Sequence, residues 1–259
     1  MGARASAAER VTVRLLFHGV VIVGLTLLTQ IGGAVWLIAV LLFGRAGRMA
    51  RLLEFLVLYA AASVATAQIA PSFGRQAIPC FGDEIVAAPP IFCMLNRTYV
   101  TPELAEVLDG LGTEMQRAHP GTKVTVLDGG FPLFDGFPLL PHLSHDDGEK
   151  VDLAFWYEGG GLRSPIGYWA FEDGPSDCVN DSRLSLRWDM GWFQPLVRDM
   201  PLDEARMRDA VLWLKSNLPE GGKILLEPHL AERLGVAGGK VRFQGCRAAR
   251  HDDHIHIQL

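Results

Sequence analysis

Acidic residues are almost missing from the first 75 positions, where Glu9 and Glu54 stand against Arg4, Arg10, Arg14, Arg45, Arg48, Arg51 and Arg75. Seven arginines against two glutamates leave a balance of +5, so the formal −5 of the whole chain puts −10 on the remainder. Two regions of opposite sign belong in different surroundings. Nowhere is a basic cluster interleaved with aromatics, so nucleic acid has no electrostatic footprint here. The chain also lacks a Cys-x-x-Cys pair, a His-Glu-x-x-His motif, an internal repeat and a low-complexity tract. Charged residues at 20% beside 49% hydrophobic exclude wholesale disorder, and 28 Gly with 15 Pro are too many for a simple helix bundle. A mean hydropathy of +0.19 is too high for an ordinary charged soluble domain. One folded domain plus a membrane segment fits the 259 residues.

What is abundant is uninterrupted apolar sequence. From Gly19 to Phe43 there is no charge, and about 25 residues at 1.5 Å each give roughly 37 Å, enough to cross a hydrocarbon core of about 30 Å. Leu52 to Ala70 is a second apolar stretch with Glu54 near its end, either a second span or a re-entrant or interfacial helix. Residues 1–70 are thus expected to be a membrane anchor with spans near 19–43 and 52–70. The first run exceeds the ~7 to 15 residue core of a cleaved signal. Two spans joined by GRAGRMAR would put the N-terminus and the C-terminal domain on one side. Arginines in both the loop and the tail leave orientation by charge counting undecided. The cysteines argue for export: Cys80, Cys93, Cys178 and Cys246 all follow the second span, and an even number suggests two disulfides, expected as Cys80–Cys93 and Cys178–Cys246. Four reduced buried thiols in a cytosolic domain are the alternative.

Residues 71–100 read as a proline-bearing linker packed irregularly on the domain. Thr101 is an N-cap and Pro102 opens a helix whose apolar face is Leu104, Val107, Leu108, Leu111 and Met115, stopped by Pro120. Strands are expected at 123–127, 151–157, 223–226, 241–244 and 254–259, with helices at 202–216 and 230–234. The fold class is α+β, a small mixed or antiparallel sheet with flanking helices over residues 101–259, preceded by two transmembrane helices.

Five of the eight histidines fall in two clusters, His142 and His145 in PHLSHDDGEKVD and His251, His254 and His256 in HDDHIHIQL. On a strand His254 and His256 share one face while Ile255 and Ile257 point to the core. Gly148 lets the chain turn between His145 and Asp152, so both can reach one point. A catalytic zinc site needs about three N/O ligands and an open position, and a His, an Asp and a second His supply them. Any one histidine is more simply a satisfied polar side chain. Two clusters at the rims of apolar strands are harder to explain by packing, because unpartnered buried polar groups cost about 1 to 3 kcal/mol each. Asp146, Asp147, Asp252 and Asp253 are either loop residues or partners that fix imidazole tautomers.

PHLSHDDGEKVD and HDDHIHIQL resemble the paired signatures of the penicillin-insensitive murein endopeptidases, in the wider group of lysostaphin-type, D-Ala-D-Ala and hedgehog-like zinc domains. LSLRWDMGWFQPLV is similar to a stretch that precedes a helix in that family. The likeness covers about Lys123 to Leu259. It implies Zn2+ held by His145, Asp152 and His256, with His254 beside the metal as proton acceptor or oxyanion stabiliser and His142 and His251 as catalytic alternates. It further implies cleavage of amide bonds in peptidoglycan peptides, with the domain on the periplasmic side of a bacterial inner membrane. The double anchor departs from the family, whose enzymes are usually soluble. A catalytically silent cell-wall peptide-binding module is the rival reading. A phosphoesterase would call for a basic pocket, which a domain at −10 does not favour. Trp156, Tyr157, Trp169, Trp188 and Trp192 suit either the core or a sugar-peptide groove.

Overall fold

The computed structural model describes residues 6–44, 47–81, 85–176, 178 and 185–259. Arg4 and Arg45 lie outside the described residues. The N-terminal part is built from helices. Ser6 caps α1 (Ala7–Thr29) through a reciprocal box with Glu9. α2 (Gly32–Phe43) and α3 (Arg48–Ile69) follow, and α3 closes in a 3-10 turn at Ala70–Phe73.

The uncharged run 19–43 is therefore not one span. It breaks at Gln30, whose φ of 64° is left-handed, and the Thr29 hydroxyl accepts the Gly32 N–H at 2.9 Å. Gly33 lets α2 fold back against α1: a Cβ there would lie 1.9 Å from Thr26 Oγ1 and 2.4 Å from the Ile22 carbonyl. The return is complete, because Arg14 Nη2 donates to the Gly44 carbonyl at 2.9 Å and Trp36 Nε1 to His18 Nδ1 at 3.2 Å. α3 leaves from the same end, with Arg51 also bonded to the Gly44 carbonyl, and Phe55 meets Trp36 edge-on at 5.3 Å.

Two helices, Ala8–Thr29 and Arg48–Phe73, are long and apolar enough to cross a membrane. Only 6% and 11% of their apolar windows are buried, so neither is the core helix of a soluble fold. α2, at about 18 Å, is too short to do so alone. With this hairpin the start of α1 and the C-terminal domain lie at opposite ends of the helices, where a simple two-helix arrangement was expected to bring them together. Arg14 and Arg51 gather at one end, while the Gln30 corner at the other end touches the domain through Leu133 and Phe134.

Residues 71–100, expected as an irregular linker, carry paired elements. β1 (Gln76–Ala77) pairs antiparallel with β3 (Tyr99–Val100), and β2 (Val86–Ala87) pairs parallel with β4 (Val124–Thr125). Between them α4 (Pro90–Met94) is joined to the chain behind it by the Cys80–Cys93 disulfide. Cys178 and Cys246 form the second bridge, across 68 residues.

α5 (Pro102–Ala118) starts where the Thr101 side chain accepts the Leu104 N–H, and buries Leu104, Leu108, Leu111 and Met115. At roughly 1.5 to 3 kcal/mol per buried side chain, this face ties α5 to the core. The sheet has the order β5-β8-β6-β7, with β5 (Lys150–Ala154), β6 (Lys223–Leu225), β7 (Val241–Arg242) and β8 (His254–Gln258). It is mixed: β5 and β6 run antiparallel to β8, and β7 runs parallel to β6. The strand expected to reach residue 157 stops at Ala154, and that expected over 123–127 is two residues long with an isolated bridge at Val126. α6 (Glu204–Asn217) adds Met207, Val211 and Leu214 to the core, and α7 (Pro228–Arg233) ends before Gly235, which takes φ 65°. Period-two alternation sends Val151, Leu153, Ile255 and Ile257 into the core and leaves Asp152, His254 and His256 on the other face.

Candidate metal centre

Asp152 on β5 stands directly opposite His256 on β8 in the antiparallel register. Such pairing brings side chains of one face within about 5 Å at Cβ, and here His256 Nδ1 lies 2.8 Å from Asp152 Oδ1. His145 comes from the loop before β5. Its Nδ1–H donates to the Gly129 carbonyl at 3.0 Å, an acceptor that fixes the tautomer and leaves Nε2 with a lone pair. Nε2 then faces His256 Nδ1 at 3.1 Å and Asp152 Oδ1 at 3.4 Å. Gly148, at φ 76°, turns the loop, and the Arg75 guanidinium packs where a side chain at 148 would sit, 2.6 Å from a Cβ built there.

His145, Asp152 and His256 are each at most 4% exposed. Their three donor atoms form a triangle of edges 2.8, 3.1 and 3.4 Å. Ligands at about 2.0 to 2.2 Å from a tetrahedral centre stand roughly 3.3 Å apart, so the spacing of the donor set is compatible with a small divalent cation. His142, His145 and Asp152 also offer donor atoms that all lie within 4.8 Å of one another, so this group could hold a metal ion. His142 Nδ1 is 3.0 Å from Asp128 Oδ2 and 3.1 Å from Asp152 Oδ2, off the line of a hydrogen bond to either.

All five clustered histidines converge. His254 Nε2 is 3.6 Å from Asp152 Oδ1, and its Nδ1 is held by Asp253. His251 stands behind, its ring 5.0 Å from that of His254 and 5.6 Å from that of His256. His142, with 18% of its side chain exposed, lies at the mouth.

The electrostatics divide the imidazoles. Burial pushes His256 down to about 4, and burial with its histidine neighbours holds His251 well below the ordinary value. Burial also works against charge on His142, yet the Asp152 and Asp128 carboxylates raise it to about 10. His254 is raised against burial by Asp152 and Asp253. Burial disfavours the Asp152 carboxylate, but His145, His254 and His142 hold it well below the usual range.

Several residues of the site have no signal in the sequence. Tyr168 donates its hydroxyl to Asp152 Oδ2 at 2.7 Å and is buried against the rings of His142 and His254. Burial, then the nearby Asp128 and Asp152, raise its pKa well above the phenol value, so it stays a donor. Arg97 grips Asp128 with two bonds of 2.6 and 2.7 Å. Arg187 does the same to Glu227, which accepts the His251 N–H. The four acids flanking the histidines separate by role: Asp253 orients His254, Asp252 pairs with Arg250, Asp147 pairs with Lys150, and Asp146 lies 4.0 Å from Lys150.

The aromatics separate too. Trp156 and Tyr157 belong to the core, whereas Trp169, Trp188 and Trp192 are 39, 62 and 73% exposed. Trp169 has a left-handed φ of 68°, and both its backbone polar atoms are held by side chains, the N–H by Asp253 and the carbonyl by Gln194. Phe193 bridges the Trp169 and Trp192 rings at 5.7 Å from each, which makes an aromatic shelf one residue from Tyr168.

A cavity of about 620 Å³ near Arg163 and Glu172 and another of about 500 Å³ near Trp156 have none of the eight histidines in their walls. In the first, the arginines are paired with their neighbouring carboxylates. No protein-family model matches the chain, and no curated protein sequence matches it.

Proposed function

We propose that this protein is a membrane-anchored, zinc-dependent peptidase that hydrolyses amide bonds in peptidoglycan peptides. The observation that carries the reading is the donor triangle of His145, Asp152 and His256, which supplies the three ligands a catalytic zinc takes from the protein. A zinc ion held there supplies Lewis-acid polarisation of a carbonyl and activation of water at neutral pH.

The chain's own residues do the rest. Asp253 fixes His254 through Nδ1, so Nε2 faces the site; in its neutral form the imidazole can take a proton from water and return it to the leaving amine, and in its charged form it can stabilise an oxyanion. Tyr168 and His145's bond to Gly129 lock the ligands in place, which is how surrounding hydrogen bonds tune a metal site. His142, between Asp128 and Asp152 at the mouth, is placed to meet the substrate and is the alternate proton carrier. His251, set back behind His254 and His256, supports them.

The exported side is supported by two independent features. Both pairs of cysteines are joined, and Arg14 and Arg51 sit at the end of the helices away from the domain, as the excess of positive charge on cytoplasmic loops requires. Both features support the reading that the helices lie in a bacterial inner membrane with the domain in the periplasm.

The exposed shelf of Trp169, Phe193 and Trp192 gives the binding-module reading a foothold, because it could hold a cell-wall fragment without any cleavage. Incubating the full chain with purified muropeptide dimers, with and without chelator, tests both. Products that vanish on chelation support the peptidase. Bound but intact dimers turn the protein into the module, and products unaffected by chelator defeat the zinc mechanism.

A further inference from the structure

The loop that carries His142 and His145 is fastened to the helices at their domain end. The Gln30 side chain, at the turn between α1 and α2, accepts the Leu133 N–H at 2.9 Å and donates to the Phe134 carbonyl at 3.4 Å. Phe73, where the apolar run of α3 finishes, meets Phe134 edge-on with ring centroids 5.7 Å apart. Two residues later Arg75 pairs with Asp135 on the same loop. On the adjoining side Tyr59 of α3 donates to the Met94 carbonyl at 2.7 Å, and Asn96 donates to the Tyr59 oxygen at 2.8 Å. Arg97, next in sequence, donates to the Leu140 carbonyl at 2.7 Å.

Around these contacts the domain exposes large apolar side chains. Phe73, Ile91, Met94, Phe134, Leu140 and Leu143 are each between 41 and 64% exposed. Soluble surfaces seldom keep such a group together, and burying each side chain fully gains about 1.5 to 3 kcal/mol. The group is continuous with the lipid-facing sides of α1 and α3, where Val23 and Val64 are also exposed. The Arg75–Asp135 pair beside it is internally neutralised.

We propose that this flank rests in the headgroup and acyl boundary of the bilayer that α1 and α3 cross, with Phe134 and the leucines either side of His142 dipping into it. The proposal rests on the anchored reading of the helices and not on the peptidase reading. Its occupant is lipid because the flank begins at the residues that bond to the helix ends, whereas β7 and Phe243 lie at the edge of the sheet opposite β5. If the peptidase reading also holds, the metal centre works within reach of the membrane surface, on peptides held there, such as lipid-linked ones.

The four native cysteines are all in disulfides, so one added cysteine can carry an environment-sensitive fluorophore. The full chain is reconstituted in nanodiscs of phosphatidylethanolamine and phosphatidylglycerol as Val23→Cys, Phe134→Cys, Leu143→Cys or Phe243→Cys. Lipids brominated near the top of the acyl chain should quench the labels at 23, 134 and 143 at least twofold and leave that at 243 unchanged. Quenching at 23 without quenching at 134 and 143 overturns the proposal and keeps the anchor. No quenching at 23 overturns the anchor and the proposal with it. The two loop positions guard against one variant misfolding, and the readout needs no activity.

Discussion

His145 Nε2 and His256 Nδ1 stand 3.1 Å apart, although 111 residues of chain separate them. Neither histidine is more than 4% exposed, and Asp152 faces both. Either a proton on His256 Nδ1 or a cation between the two nitrogens satisfies this contact, and on the metal reading each of the three residues should be needed to retain the ion. Asp152→Ala and His256→Ala should both lose stoichiometric zinc in elemental analysis. His254→Ala should keep the zinc and lose turnover by about 10² to 10⁴-fold. Full zinc in the Asp152 variant would remove the centre from the protein.

Tyr168→Phe deletes the hydroxyl that donates to Asp152 Oδ2 and accepts the Asp128 N–H, with no change in ring packing. Loss of a partner of this kind costs on the order of 10 to 100-fold in metal affinity or activity. Zinc affinity measured by competition with a chromophoric chelator should fall by that factor, while the melting profile stays close to wild type. An unchanged affinity would leave Tyr168 as a packing residue.

The two disulfides should differ in what they contribute. Closing 68 residues removes about 4 kcal/mol of unfolded-chain entropy and closing 13 about 3 kcal/mol. Denaturant titration of Cys178→Ala/Cys246→Ala and Cys80→Ala/Cys93→Ala in detergent should show both weakened, the longer loop more. The reverse order would mean that the Cys80–Cys93 bridge holds α4 against α3 rather than merely shortening a loop.

Gly33→Ala should loosen the helical hairpin, because the new methyl meets Thr26 Oγ1 and the rigid Ile22 carbonyl. Overpacking of this sort costs about 1 to 3 kcal/mol. Gly19→Ala is the control, since nothing lies within 4 Å of its Cβ. Heat-induced loss of helicity in detergent should come earlier in the first variant only, and equal midpoints would say that α1 and α2 do not pack as described.

What the sequence made readable was periodic or tightly spaced. Leu104, Leu108, Leu111 and Met115 recur at helical intervals, and the alternation of His254, Ile255, His256 and Ile257 gave away which face of β8 carries chemistry. The even cysteine count pointed to two disulfides, and the pairs expected, one of three possible sets, are the ones formed. The turn at Gln30 was hidden because it interrupts an apolar run without a charge or a proline, and hydropathy does not register a left-handed residue beside two glycines. Tyr168 was hidden for another reason: its partner is 16 residues away across a segment with no period, in a neighbourhood rich in aromatics. The pairs Arg97–Asp128 and Arg187–Glu227 join positions 31 and 40 residues apart, and only the fold brings them together.

α3 runs without interruption into the 3-10 turn at Ala70–Phe73, and Arg75 is already bound to Asp135 two residues beyond it. The domain is therefore mounted on a bracket and not hung from a leash, since α3 is also bonded to it through Tyr59. On the reading that α3 crosses a bilayer, a membrane of different thickness that tips this helix would tilt the histidine cluster with it.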